Sequence, residues 1–181
     1  MPETRTILDS AAIDGALRRI AQEILERNPD PAGFALVGIP LRGPELARRL
    51  ADFVLQVDGR RPRTGVVDVS MHRDDLKVRR PIRSVHATEL PFRLEDLTVI
   101  LVDDVFFTGR TCRAAMDAIS SYGRPARIQL AVLLDRGHRE LPIRPDYVGK
   151  NVATERNESV KVRLQNIDRE PDSVRLEKTR L

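Results

Sequence analysis

The sequence predicts an α/β fold, a doubly wound and mostly parallel sheet with a small hood and a terminal β-hairpin, formed as a single domain over residues 1–181. Three observations carry that prediction. Apolar, β-branched runs without alternation recur at Phe34–Ile39, Val99–Val102 and Arg127–Asp135, the pattern of strands covered on both faces. Strand, short loop and helix follow one another in series, which calls for right-handed crossovers between parallel strands. Strict alternation comes only late, with Val160, Val162 and Leu164 against Lys161 and Arg163, then Val174 and Leu176. That period of two predicts an antiparallel hairpin, and a hood built from both chain ends.

Taken in order, Asp9 or Ser10 caps a first helix whose apolar positions Ile13, Leu17, Ile20, Ala21 and Ile24 follow the 3.6-residue period. It ends near Asn28-Pro29. Arg18, Arg19, Gln22, Glu26 and Arg27 lie on its other faces, which by pattern alone is a solvated charged surface. The strand Phe34–Ile39 leads through Pro40-Leu41-Arg42-Gly43-Pro44 into a helix with Leu46, Leu50, Phe53 and Val54 inward, Pro44 suiting the first helical turn. Thr64–Ser70 reads as a third strand. Residues 77–91 lose periodicity and read as a long loop that orders over substrate. Residues 60–93 hold nine Lys/Arg against four Asp/Glu, a local excess of five. After Val99–Val102 a helix carries Ala114, Ala115, Met116, Ala118 and Ile119 and stops at Tyr122-Gly123-Arg124-Pro125, a glycine C-cap with proline beyond. Arg127–Asp135 is a further buried strand, followed by a short one around Tyr147 and Val148.

The totals narrow the function classes. At 181 residues the chain supports one well-buried core. It has neither an apolar run of about 18 residues nor a secretory leader, which points to the cytoplasm. One cysteine, Cys112, cannot form an internal disulfide, agrees with a reducing compartment, and reads as packing. Aromatic content of 4% with no Trp leaves few platforms for stacking single-stranded bases, so folded RNA suits the basic balance of 31 Lys/Arg against 27 Asp/Glu better.

The chemistry concentrates in residues 99–111, Val-Ile-Leu-Val-Asp-Asp-Val-Phe-Phe-Thr-Gly-Arg-Thr. Two carboxylates, Asp103 and Asp104, stand at the carboxyl end of a strand, the edge where open α/β sheets bind ligands. Two acids alone often just start a loop. Here they are followed by Thr108, Gly109, Arg110 and Thr111, whose amides and hydroxyls can take a phosphate at a helix N-terminus. Adjacent carboxylates repel a bare phosphate, so a ribose diol or a hydrated Mg²⁺ suits them. At the end of the Phe34–Ile39 strand, Gly43 lets backbone approach a ligand and Arg42 can fork onto a diphosphate.

This stretch resembles the phosphoribosyl pyrophosphate (PRPP) signature of type I phosphoribosyltransferases. It is no Walker A loop, for no Gly-Lys-Ser/Thr follows. With Arg18 to Asn28, Arg73-Asp74-Asp75-Leu76 and above all Leu130 to Asn151, the resemblance narrows to the bifunctional pyr operon regulators with uracil phosphoribosyltransferase activity. It implies a type I phosphoribosyltransferase fold, dimeric or tetrameric, that makes UMP and diphosphate from uracil and PRPP. Asp103, Asp104 and Arg42 would form the catalytic set, with PRPP on Leu41, Arg42, Gly43, Asp103, Asp104, Thr108, Gly109, Arg110 and Thr111. Mg²⁺ would arrive with PRPP near Asp103 and Asp104, and uracil would lie near Asp135, Arg136 and His138. The resemblance also implies binding of pyr leader mRNA, promoted by uridine nucleotides, on Arg19, Arg27, Arg139, Arg144 and Lys150. Two stretches carry those cations, and only the fold can join them. Departures are Leu41 where the family commonly has Thr, His72 and Phe107 where Tyr is usual, and Gln22 where some relatives have His. Lost hydroxyls, and no acid at Phe107, imply a slow transferase that leans on PRPP binding more than on proton transfer. The alternative is a plain pyrimidine salvage enzyme without RNA regulation.

Overall fold

The protein is described by a computed structural model covering residues 3–72 and 86–178. Five strands form a parallel sheet: β2 (Phe34–Gly38), β3 (Arg63–Val66), β4 (Thr98–Phe106), β5 (Arg127–Asp135) and β6 (Tyr147–Asn151), in the spatial order β3-β2-β4-β5-β6. Alternate side chains of the central strands feed two separate apolar clusters. Phe34, Leu36, Ile100, Val102, Ala131 and Leu133 face helices α1 (Ser10–Arg27) and α2 (Gly43–Asp58), while Ala35, Val37, Val99, Leu101, Leu130 and Val132 face α3 (Arg110–Ser120). Helices on both faces are what unalternating apolar strands require, so the doubly wound parallel sheet stands.

The hood is a second sheet, antiparallel, in the order β1-β8-β7, with β1 (Glu3–Leu8), β7 (Glu158–Arg163) and β8 (Ser173–Lys178), and a short helix α4 (Gln165–Asp168) between β7 and β8. The terminal hairpin is therefore present, and the amino end adds a third strand. Leu8, Val162, Leu164 and Val174 join the α1/α2 cluster, so hood and main sheet share apolar packing.

Boundaries differ in three places, each with a local cause. The third strand ends at Val66 instead of Ser70, because the Asp68 carboxylate takes the Ser70 N–H (2.9 Å) and hydroxyl (2.6 Å) and turns the chain at Ser70–His72. β4 runs on to Phe106, since β5 pairs with it beyond Asp103 whereas pairing with β2 stops at Val102. α3 closes at Ser120 through Ser121 and Tyr122 amides on Ala118 and Ile119 carbonyls, without a left-handed Gly123. Gly123 instead lies where a Cβ would come 3.2 Å from Leu94 and Glu95. The first helix takes Asp9 as its cap, the carboxylate accepting from the Ala12 N–H at 2.8 Å. Residues 73–85, which include Arg73 to Leu76 and most of the 77–91 loop, lie outside the described residues.

One buried polar knot fixes α1 to the sheet edge. Asn28, just past α1, donates from Nδ2 to Gln129 Oε1 and Tyr147 Oη, both at 3.1 Å, and the Tyr147 hydroxyl donates to Gln129 at 2.9 Å. Tyr147 is fully buried. Tyr147→Phe removes both hydrogen bonds of the hydroxyl while Asn28 Nδ2 keeps the Ile24 carbonyl and Gln129, and should cost roughly 1 kcal/mol of unfolding free energy. Urea denaturation of the two proteins measures it.

Candidate active site

The carboxyl edge of the parallel sheet collects the residues that the sequence singles out. Past Gly38, β2 turns into Pro40-Leu41-Arg42, with a cis Pro40–Leu41 peptide, and α2 begins at Gly43. A Cβ on Gly43 would lie 2.3 Å from the Val102 carbonyl oxygen. No larger residue fits that approach, and it sets the loop directly against β4. The glycine therefore serves contact between loop and strand. β2 pairs with β4 only as far as Val102, so Asp103 and Asp104 lie beyond that ladder. Arg42 stands beside them, its Nη1 3.6 Å from Asp104 Oδ2. Asp103 Oδ1 accepts from the Asp104 N–H (2.9 Å) and Asp104 Oδ1 from the Val105 N–H (2.8 Å), which orients both carboxylates. Leu41 is half-exposed.

Beyond Phe106, Gly109 sits at φ 95, a left-handed conformation that favours glycine, and caps α3 without any side-chain hydrogen bond. The start of α3 is thus where the sequence expects an anion on Thr108, Gly109, Arg110 and Thr111. Thr108 Oγ1 accepts from the Arg110 N–H at 3.3 Å, its carbonyl accepts from Glu140 at 2.9 Å, and Arg110 pairs with Glu140 at 3.0 Å. Cys112 is buried, and burial, with the Asp103 charge adding to it, pushes its thiol up to about 12. A protonated, buried thiol is packing, as the sequence suggests.

At the end of β5, Asp135, Arg136 and His138 stand beside Phe107, but their polar groups are already engaged. Asp135 is buried, accepts from the Gly137 N–H at 3.0 Å and pairs with Arg139 at 2.5 Å. The Arg136 guanidinium stacks 4.2 Å over the Phe107 ring, donates to Thr154 Oγ1 (3.1 Å) and the Glu158 carbonyl (2.8 Å), and loses basicity through burial. His138 Nε2 lies 2.7 Å from the Thr154 carbonyl, its ring edge-on to Phe107 at 5.6 Å. Thr154 is thus a site neighbour that no sequence motif marks.

Sequence reasoning also missed a charged seam between hood and α2. Arg42 grips Asp168 of α4 with both fork edges, Nη2 at 2.7 Å and Nε at 3.0 Å. Arg49 pairs with Asp172, and Asn166 donates to Glu45 at 2.8 Å, Glu45 also receiving Arg48 and Arg49. Hydrogen bonds from Arg42, working against burial, bring the Asp168 carboxyl down to about 2 and raise Arg42. Burial raises Glu45, but Arg48, Arg49 and Asn166 outweigh it and bring it to about 2. Glu45 meets Arg48 and Arg49 at local helical spacing, but the contacts of Arg42, Arg49 and Glu45 with Asp168, Asp172 and Asn166 join distant segments, so nothing local in the sequence announces them.

The cations assigned to RNA come from two segments that the fold joins. Arg19 of α1 donates to the Val148 (3.3 Å) and Gly149 (2.5 Å) carbonyls of β6, and Arg27 donates to the Asp146 carbonyl (3.3 Å) while covering the Tyr147 ring at 5.0 Å. Arg144 and Lys150 are exposed on the same edge and pair with no carboxylate among the described residues. Arg139 is drawn inward by Asp135 and lies 5.4 Å from the Phe106 ring centroid.

Comparison with known proteins follows this geometry. The family described as "Phosphoribosyl transferase domain" matches residues 3–165. A protein of Roseiflexus sp. (strain RS-1) named "Bifunctional protein PyrR" is 53% identical over 97% of this chain and 96% of its own length; one of the same name from Listeria monocytogenes serotype 4b is 51% identical over 98% and 99%. The chain belongs to the bifunctional PyrR family. PyrR-family membership makes it a regulator of pyrimidine genes with uracil phosphoribosyltransferase activity. Among solved structures, a hypoxanthine phosphoribosyltransferase of Trypanosoma cruzi superposes with TM-score 0.68 at 20% identity, covering 97% of both chains, and one of Staphylococcus aureus with 0.68 at 18%, covering 94% and 90%. At those identities the likeness is one of fold, and it gives this PyrR-family chain the type I phosphoribosyltransferase architecture.

Both seam carboxylates bind protons less readily folded than at their ordinary values of 3.8 (Asp168) and 4.5 (Glu45). Their contribution to stability is therefore complete above about pH 4.5 and lost as pH falls towards 2. Glu45→Gln should lower the melting temperature at pH 7, and the gap to wild type should close between pH 4.5 and 2.5, as differential scanning calorimetry reads.

Proposed function

We propose that this chain, acting as one domain and as a homodimer or homotetramer in the cytoplasm, binds pyr leader mRNA more tightly when UMP fills the site where uracil and PRPP react. The reading rests on one juxtaposition above all. Arg42 and the two carboxylates lie with the first turn of α3 at one sheet edge, while Arg19 and Arg27 of α1 reach the backbone of the edge strand β6, which also carries Lys150. No helix among the described residues is long and apolar enough to cross a membrane.

In the transfer, diphosphate leaves C1′ of the ribose as the uracil nitrogen arrives, and positive charge develops on the sugar. Asp103 and Asp104 hold the ribose hydroxyls and stabilise that charge. Thr108 to Thr111 take the 5′-phosphate at the α3 N-terminus. Arg42, with Leu41 and Gly43, receives the diphosphate. Uracil lies by Phe107, within reach of Asp135, Arg136 and His138. Those three side chains are tied into the fold, so base contact comes from Arg136–His138 backbone and from the face of the Arg136–Phe107 stack. Phe107 carries no proton acceptor, so rate derives from charge and position.

Mg²⁺ carried with PRPP fits the residues present. Among the described residues no cluster of three or more His, Cys, Asp or Glu could cage an ion, and Asp103 and Asp104 are the one or two carboxylates that suffice when substrate oxygens and water complete the shell. Held near Asp103 and Asp104, the ion would supply positive charge to the leaving diphosphate.

Two variants separate the activities. Asp104→Asn should reduce uracil turnover at least about 10²-fold in a coupled assay for UMP formation. Arg144→Ala with Lys150→Ala should weaken leader RNA binding roughly tenfold and lower the salt slope by about one per cation, with turnover intact. Filter binding with and without UMP at two salt concentrations decides the regulatory half. Affinity that ignores both UMP and RNA sequence would leave a salvage enzyme.

A further inference from the structure

We propose that Asp168, on the hood helix α4, is the positioning residue of the diphosphate loop, its carboxylate holding the Arg42 guanidinium in the orientation that receives the leaving group. The inference rests on the reading of Arg42 as the diphosphate contact, and adds a residue from the far end of the chain to it.

Three observations carry it. The Arg42 backbone is already fixed, since Gly43 is wedged against the Val102 carbonyl, so the remaining freedom is in the side chain. Asp168 removes that freedom by occupying Nε and Nη2 together, which turns Nη1 toward Asp104. Asp168 is itself immobilised: it accepts from the Leu164 N–H at 2.8 Å and from Arg163 Nη1 at 3.2 Å, and its side chain is only 9% exposed.

Anchoring the hood does not require Arg42. Arg49–Asp172 and Asn166–Glu45 tie the same hood segment to α2 without touching the diphosphate loop. The distinctive work of Asp168 is therefore orientation. PRPP carries the group that Arg42 meets and UMP lacks it, so the two ligands should depend on Asp168 unequally.

Steady-state kinetics and equilibrium binding on the full-length protein test this. Asp168→Asn should raise the KM for PRPP about tenfold while the Kd for UMP and the KM for uracil stay within about twofold of wild type. Asp168→Glu keeps the charge but displaces it by a methylene and should give a smaller shift in the same direction; it also serves if the Asn protein does not fold. In an Arg42→Ala background, where PRPP binding is already weakened, Asp168→Asn should add nothing. Asp172→Asn, which loosens the hood elsewhere, should lower stability and leave the PRPP KM unchanged. Equal losses for PRPP and UMP, or a PRPP loss at Asp172→Asn matching that at Asp168→Asn, would reduce Asp168 to a hood tie and overturn the proposal. An Arg42→Ala protein with unchanged PRPP affinity would instead remove the diphosphate reading, and the proposal with it.

Discussion

The close approach of the Gly43 backbone to the Val102 carbonyl is the constraint on which the site depends. It brings the end of β2 and the start of α2 against β4 at the point where the two strands stop pairing, next to Asp103 and Asp104. Everything anionic or cationic at the edge is placed relative to that contact. Arg42 faces the carboxylates because that contact holds its backbone and Asp168 holds its side chain. The hood then adds its charged seam, whose partly buried ion pairs contribute more to fixed geometry than to net stability, since desolvation offsets much of the attraction.

Much of this was legible in the sequence for physical reasons. Strands β2, β4 and β5 are buried on both faces and so must be apolar throughout, which made them easy to read; β7 and β8 face solvent on one side and show it as alternation. β1 escaped because Glu3–Leu8 is largely polar and gains its place only by pairing with β8. Val67–Ser70 read as strand, since Val67 and Val69 are indeed buried, but one carboxylate, Asp68, outcompetes the ladder for the Ser70 amide. The Gly123-Arg124-Pro125 run promised a glycine cap that packing against Leu94 made unnecessary.

The site divides in the same way. Asp103, Asp104 and Thr108 to Thr111 lie within one contiguous stretch, so their chemistry is visible as a pattern. Asp168, Thr154 and Asp172 act across more than a hundred residues or across a loop of no fixed period, and pair geometry of that kind leaves no local trace. Arg139 shows the converse: grouped by sequence with Arg144 and Lys150, it is turned inward by the Asp135 carboxylate four residues earlier.

The knot of Asn28, Gln129 and Tyr147 has a consequence for whatever polyanion meets the basic edge. It welds the last turn of α1 to β6, and Arg19 and Arg27 add backbone contacts across the same seam, so the distances between cations on the two segments are set before any ligand arrives. A surface of that kind behaves as a ruler. Loop and stem must bring their phosphates to its graduations, and an RNA of the right sequence but the wrong shape finds its charges out of step.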